Sequence, residues 1–250
     1  MRNLRAAVIF LTRLPITFGR KEMPELSRSV PWFPVVGALV GLLVGTSYWL
    51  LSQIVPGSVA ATASIALGVI VTGAFHLDGL ADVADAFPGA ATVERRLEIL
   101  KDSRLGTYGT SALVFVLLLE IASLANLSPL DGFKVAIAAN SLGRSSAVFV
   151  MLISRPAQVS SLGLSYVSNL SFWRASIGIM AGSGLTYGLL GLPGLILTLC
   201  CLPPALIIRI WSYRSIGGIS GDSLGAVAQV SQMSVFLVAV GVLGSTCECL

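Results

Sequence analysis

Gly73–Phe87 reads GAFHLDGLADVADAF and closes a strongly apolar run. Its aspartates, Asp78, Asp82 and Asp85, stand at i, i+4 and i+7. On an α-helix that spacing places them within roughly 60° of one another on one face. Like charges one turn apart repel and weaken a bare helix. In a chain that is 55% hydrophobic and 11% charged, three such charges call for a positive partner. A hard divalent cation is the expected one.

Working outward, the apolar content, 26 glycines and a mean hydropathy of +0.87 indicate a polytopic membrane protein. The expected fold is all-α, a single transmembrane domain over residues 1–250. An apolar helix needs about 20 residues to cross the hydrocarbon layer. Seven stretches qualify, near 31–54, 58–77, 109–128, 133–153, 174–191, 194–213 and 224–245, with six to eight as the bounds. The 133–153 stretch is the least apolar, interrupted by Asn140, Ser141, Arg144, Ser145 and Ser146. In PVVGALVGLLVG, Gly37, Gly41 and Gly45 repeat every four residues, a ridge that lets another helix approach closely. The opening MRNLRAAVIFLTRLP has no cleavage-site pattern and suits a segment lying on the membrane surface.

Lys and Arg set the expected orientation. Arg2, Arg5, Arg13, Arg20, Lys21 and Arg28 lie in the N-terminal segment, and Arg95, Arg96, Lys101 and Arg104 in the 78–108 loop. Arg155, Arg174, Arg209 and Arg214 flank spans on that same side, and Lys134 stands alone on the other. The N-terminus and the 78–108 loop, read as the catalytic loop, are therefore expected in the cytoplasm, with the chain in the cell (inner or plasma) membrane. The net charge of +4 is explained by this asymmetry, and no nucleic-acid partner is expected. A homo-oligomer is compatible with the sequence. Cys200, Cys201, Cys247 and Cys249 form no CxxC pair and lie far from His76, the one histidine. That argues against zinc.

Three segments carry chemistry. The aspartate triplet offers the oxygen ligands that Mg²⁺ prefers, and Mg²⁺ is commonly shared with substrate phosphates. LKDSRLGTYG (Leu100–Gly109) supplies Arg104, a rigid fork suited to phosphate. Ser103, Thr107 and the backbone around Gly106 add donors at the start of the next helix, where anions are favoured, and Asp102 either orients Arg104 or joins the metal. GGISGDSLGA (Gly217–Ala226) supplies Gly218 and Gly221 for close approach to a ligand. In the same segment Asp222 either completes the cation site or caps the last helix. Within the spans, Glu120 and Arg144 either pair with each other or serve function. A substrate role is favoured for Arg144, and a structural one for Glu120. Acids for a metal, with Arg and Gly-rich loops for phosphates, suit Mg²⁺-dependent phosphoryl transfer.

HLDGLADVADAF, LKDSRLGTYG and GGISGDSLGA, in that order, resemble the cobalamin synthase family, the adenosylcobinamide-GDP ribazoletransferases. FLTRLPITFGR and the PVVGALVGLLVG ridge are similar to that family's N-terminal pattern, so the resemblance runs over nearly the whole chain. It implies a membrane enzyme that joins α-ribazole, or its 5′-phosphate, to adenosylcobinamide-GDP and releases GMP, with Mg²⁺ as cofactor. It further implies Mg²⁺ ligation by Asp78, Asp82 and Asp85 with Asp222 completing the acidic site, and Asp82 as the base toward the ribose hydroxyl. Val83 and Ala86 stand where the family usually has Thr and Gly, and Ser220 where it has Thr. Gln229 and Gln232 stand where glutamates are frequent.

Two rival readings are weaker. A CDP-alcohol-type phospholipid phosphotransferase would continue from Asp78-Gly79 to an Ala-Arg pair, whereas Leu80-Ala81-Asp82 follows here. A cation-coupled transporter would place its acids near the bilayer midplane, but the triplet sits at a span end.

Overall fold

The computed structural model describes residues 2–16, 26–157 and 170–244; Arg20, Lys21, Cys247 and Cys249 lie outside them. The described chain is helical without a strand, and only an isolated parallel bridge joins Pro156 to Ile219. Helix α1 (Arg2–Leu11) has 10 residues, about 15 Å at 1.5 Å per residue, half the hydrocarbon thickness. As expected of the opening segment, it is too short to cross.

Single-turn helices at Leu26–Arg28 and Val30–Trp32 lead into α2 (Phe33–Leu51). Then come α3 (Gly57–Thr72), α4 (Phe75–Gly89), α5 (Val93–Ile99), α6 (Thr107–Ala125) and α7 (Pro129–Leu152). The described remainder forms α8 (Phe172–Leu190), α9 (Leu192–Cys200), α10 (Leu202–Ile216) and α11 (Gly221–Leu243). Among the described residues, five segments are long and apolar enough to span: Leu26–Leu51, α6, α7, α9 with α10, and α11. A sixth is reached if α3 and α4, bent by 89°, count as one. The molecule is an all-α polytopic membrane bundle.

About seven spans were expected, and two places account for the difference. Helix α8 has 19 residues, but Arg174, two serines and four glycines hold its apolarity below that of its neighbours. Two of those glycines, Gly178 and Gly182, serve packing instead. A Cβ at Gly178 would overlap the backbone of Pro31, and one at Gly182 the hydroxyls of Ser141 and Ser145. The second place is the end of α3, where Gly73 (φ 63°) and Ala74 (φ 58°) both turn left-handed. Gly73 adopts that conformation freely, whereas Ala74 is strained there. The chain leaves this corner as α4, nearly perpendicular to α3, and lies across one end of the bundle.

Helix α7 is the hub. It packs on α2, α8 and α11, and 17 of its 24 residues are buried. Its polar residues therefore face protein, which explains how the least apolar expected span persists. The Gly37–Gly41–Gly45 ridge lies on it as expected: a Cβ at these positions would overlap backbone at Asn140, Ala136 and Phe133 respectively. Outward, Ile70, Phe115, Ile177, Met180 and Ile207 are exposed. In water such surface would cost about 25 cal/mol per Å², and against lipid it costs little.

Candidate active site

Helix α4 packs against the N-terminal ends of both α6 and α11. Helices α4 and α11 cross at Gly79, where a Cβ would stand 2.8 Å from the Asp222 carbonyl oxygen. On the other side, a Cβ at Gly225 would stand 3.4 Å from the Gly79 Cα. Helix α11 packs directly on Gly79, and this contact brings Asp222 to the aspartates of α4.

Asp222 is not the cap of its helix. Ser220 holds that position, accepting from the Ser223 N–H at 3.1 Å in a capping box. This overturns the capping alternative and leaves the Asp222 carboxylate for the site. Asp78, Asp82 and Asp222 line one open cavity of about 580 Å³ with Leu100–Leu105 and the apolar wall of Leu113 and Leu117. Burial, then the charges of Asp78, Asp222 and Asp85, push the Asp82 carboxyl up to about 7. Acids this crowded favour a cation. Among the described residues no three His, Cys, Asp or Glu side chains converge tightly enough to hold an ion unaided. The donor set nonetheless suits Mg²⁺, which is commonly held by one or two carboxylates, waters and substrate phosphate.

Asp85, the third member of the triplet, faces elsewhere. Its carboxylate accepts from the Gly106 N–H at 2.7 Å and the Gly109 N–H at 2.8 Å. A side chain at either glycine would collide with it. Asp85 thus caps α6 from a neighbouring helix, with negative charge at the positive helix end. The Gly106 N–H expected to hold phosphate is engaged by this carboxylate.

Asp102 and Arg104 are joined as one of the expected alternatives had them. Arg104 Nη2 donates to Asp102 Oδ2 at 2.6 Å, and Nε donates to both oxygens at 3.0 Å. These hydrogen bonds hold the Asp102 carboxyl down to about 2. Ser103, Arg104 and Lys101 line the same cavity, and Lys101 is a site residue that the motif reading missed. Its signal was a cation one position before Asp102. Thr107 opens α6, exposed, outside the cavity lining.

The other expected glycines differ. Gly221 is exposed with open space beside it. Gly218 is buried, and a Cβ there would overlap the backbone of Pro156 and Ala157; its smallness serves the α7–α8 connection. Arg144 lies away from the carboxylate cavity. It is 4% exposed and donates to Asn140 Oδ1 at 3.0 Å and to Gln232 Oε1. Glu120 accepts from Gln229 Nε2 at 2.9 Å and Gln232 Nε2 at 3.0 Å. The favoured substrate role for Arg144 gains no support from this position; the alternative, a pairing with Glu120, is made indirectly, through Gln232.

A family model described as cobalamin-5-phosphate synthase matches residues 3–240. A protein of Klebsiella pneumoniae (strain 342) named adenosylcobinamide-GDP ribazoletransferase is 35% identical, over 96% of this chain and 99% of its own. Proteins of the same name from Shewanella frigidimarina and Geotalea daltonii are 35% and 32% identical, over 94% and 98% of this chain and 93% and 99% of theirs. No solved structure matches the chain. With its aspartates, Asp102–Arg104 pair and Asp222 gathered at one end of a helical bundle, the chain belongs to the cobalamin-5-phosphate synthase family.

Proposed function

We propose that this chain is an adenosylcobinamide-GDP ribazoletransferase. It would transfer the cobinamide phosphate of adenosylcobinamide-GDP to α-ribazole or its 5′-phosphate and release GMP. The observation that carries this reading is the shared cavity of Asp78, Asp82 and Asp222 with Lys101 and Arg104. It sets acids for a metal facing cations for phosphate. Asp78, Asp82 and Asp222 would hold Mg²⁺, which when bound neutralises diphosphate charge. Asp85 remains the brace of α6.

Asp102 orients the Arg104 guanidinium, a fork that matches two phosphate oxygens. Lys101 adds a point charge, and Leu113 and Leu117 limit water on the far wall. Asp82 would accept the proton of the attacking ribose hydroxyl. A new P–O bond forms from that ribose oxygen to the phosphorus on the cobinamide side. The P–O bond to GMP breaks, and GMP leaves with the bridging oxygen. The Lys and Arg asymmetry supports a cytoplasmic site in the cell membrane, where these soluble substrates are available. Labelling of a cysteine at position 102 from outside the cell would reverse that orientation.

The test is purified protein in liposomes with adenosylcobinamide-GDP, α-ribazole phosphate and Mg²⁺. GMP and cobalamin phosphate are expected in equal amounts. Absence of both, from folded protein, overturns the reading. Release of CMP from CDP-diacylglycerol with an alcohol acceptor would replace it with the phospholipid reaction.

A further inference from the structure

A second polar assembly lies deeper in the bundle. Arg144 of α7 donates to Gln232 of α11, and the amide of Gln232 donates to Glu120 of α6 at 3.0 Å. On its other edge, Arg144 Nη2 stands 3.4 Å from His76 Nδ1 of α4. Glu120 is 1% exposed, and His76, Arg144 and Gln232 are buried. Along three helices this assembly separates two apolar cores: Val116 from Leu124 on α6, Val148 from Ala139 on α7, and Val227 from Val235 on α11.

Its attachments are specific. The three helices that build the active site, α4, α6 and α11, each contribute a group. His76 is two residues before Asp78, and Gln229 is seven after Asp222, on the same helix face about 10 Å deeper. Ala74 and Leu77 line both the carboxylate cavity and the space around the buried assembly. Apolar contacts are non-directional. A hydrogen-bonded pair of opposite charges has a preferred geometry and fixes register.

We propose that the chain Glu120–Gln232–Arg144–His76 is a positioning device that sets α4 against α11, and thereby Asp78 and Asp82 against Asp222. It requires one carboxylate beside Arg144, not Glu120 itself. Gln232 already presents an oxygen to Arg144, so a carboxylate at that position would meet the same guanidinium. Glu120→Gln then leaves Arg144 without a counter-charge, and Glu120→Gln with Gln232→Glu moves the charge from α6 to α11. Gln232→Glu alone sets two carboxylates against one arginine. The inference rests on the phosphotransferase reading for what the aspartates do, but its test does not.

The experiment uses the full chain in lipid nanodiscs, with Mn²⁺ affinity read by electron paramagnetic resonance and backbone hydrogen exchange read by mass spectrometry. Glu120→Gln is expected to weaken Mn²⁺ binding about tenfold or more, as groups behind metal ligands commonly do. It should speed exchange over residues 75–82 while leaving residues 192–200 unchanged. The double variant is expected to recover Mn²⁺ affinity to within about threefold of wild type, with wild-type exchange over residues 75–82. Wild-type behaviour of Glu120→Gln overturns the inference. So does a double variant that fails to fold or improves on neither reading. A wild type that binds no Mn²⁺ sinks the metal reading, and the exchange pattern still decides the positioning. A wild type that binds Mn²⁺ but releases no GMP sinks the reaction alone.

Discussion

The two polar assemblies use the same residue types to opposite ends. In the buried one, the Glu120 carboxyl and the Arg144 guanidinium are joined through the amide of Gln232, with His76 on the far edge. In the open one, Asp78, Asp82 and Asp222 repel one another, and Asp102 has already engaged Arg104. Buried charge must be matched within the protein because water cannot compensate it. Charge at a cavity can be left unmatched when a ligand arrives to match it. The contrast separates polar groups matched within the bundle from polar groups left unmatched at a cavity.

The largest effect is expected at Asp82. Asp82→Asn should lower turnover by about 10³-fold, in the range of a lost general base, while the melting temperature stays near wild type. Turnover within threefold of wild type would place Asp82 on the architectural side of the comparison. Next is Arg144→Ala, which strands Glu120 in the bundle. Breaking a buried pair costs about 3–5 kcal/mol, so chemical unfolding should show a loss of that order. A neutral pair, Glu120→Leu with Arg144→Met, should be more stable than either single change.

What rests on local spacing was legible in the sequence. The i, i+4, i+7 aspartates do share a helix, and Gly37, Gly41 and Gly45 do admit α7. What escaped was set by tertiary structure. No residue pattern distinguishes the aspartates that line the cavity from the one that caps α6, since Gly106 and Gly109 lie more than twenty positions away. The corner at Gly73 and Ala74 falls inside an apolar run that reads as continuous, and only the glycine hints at it. Gln232 joins Glu120 to Arg144 from a third helix, so the separation in sequence hid the bridge.

Smaller perturbations sharpen the boundary. Arg104→Lys keeps the charge but loses the fork, and a KM for adenosylcobinamide-GDP raised about tenfold is expected. An unchanged KM would remove Arg104 from the phosphate site. Asp85→Ala should cost about 1–2 kcal/mol, as lost helix caps do, with residual activity in the folded fraction. Complete loss of activity from fully folded protein would return Asp85 to the metal.

The smallest effect is a pH dependence. The folded Asp82 carboxyl, at about 7, lies above its unfolded value near 3.8, so the folded state binds the proton more tightly. That contribution to stability is complete below about pH 4 and is lost as pH rises through about 7. Without divalent cations, the melting temperature should fall by a few degrees over that window, on the order expected for a small stability change. Asp82→Asn should flatten the profile, and an unchanged slope would show that the crowding is relieved in solution.

The brace formed by Asp85 has a genetic consequence. Defects at Asp82 and at Asp85 differ in depth, and they also have different remedies. A missing brace can be compensated by any second-site change that firms the start of α6, so suppressors of Asp85 variants should arise at scattered positions. A carboxylate with the role proposed for Asp82 has no such substitute, and Asp82 variants should revert only at their own codon.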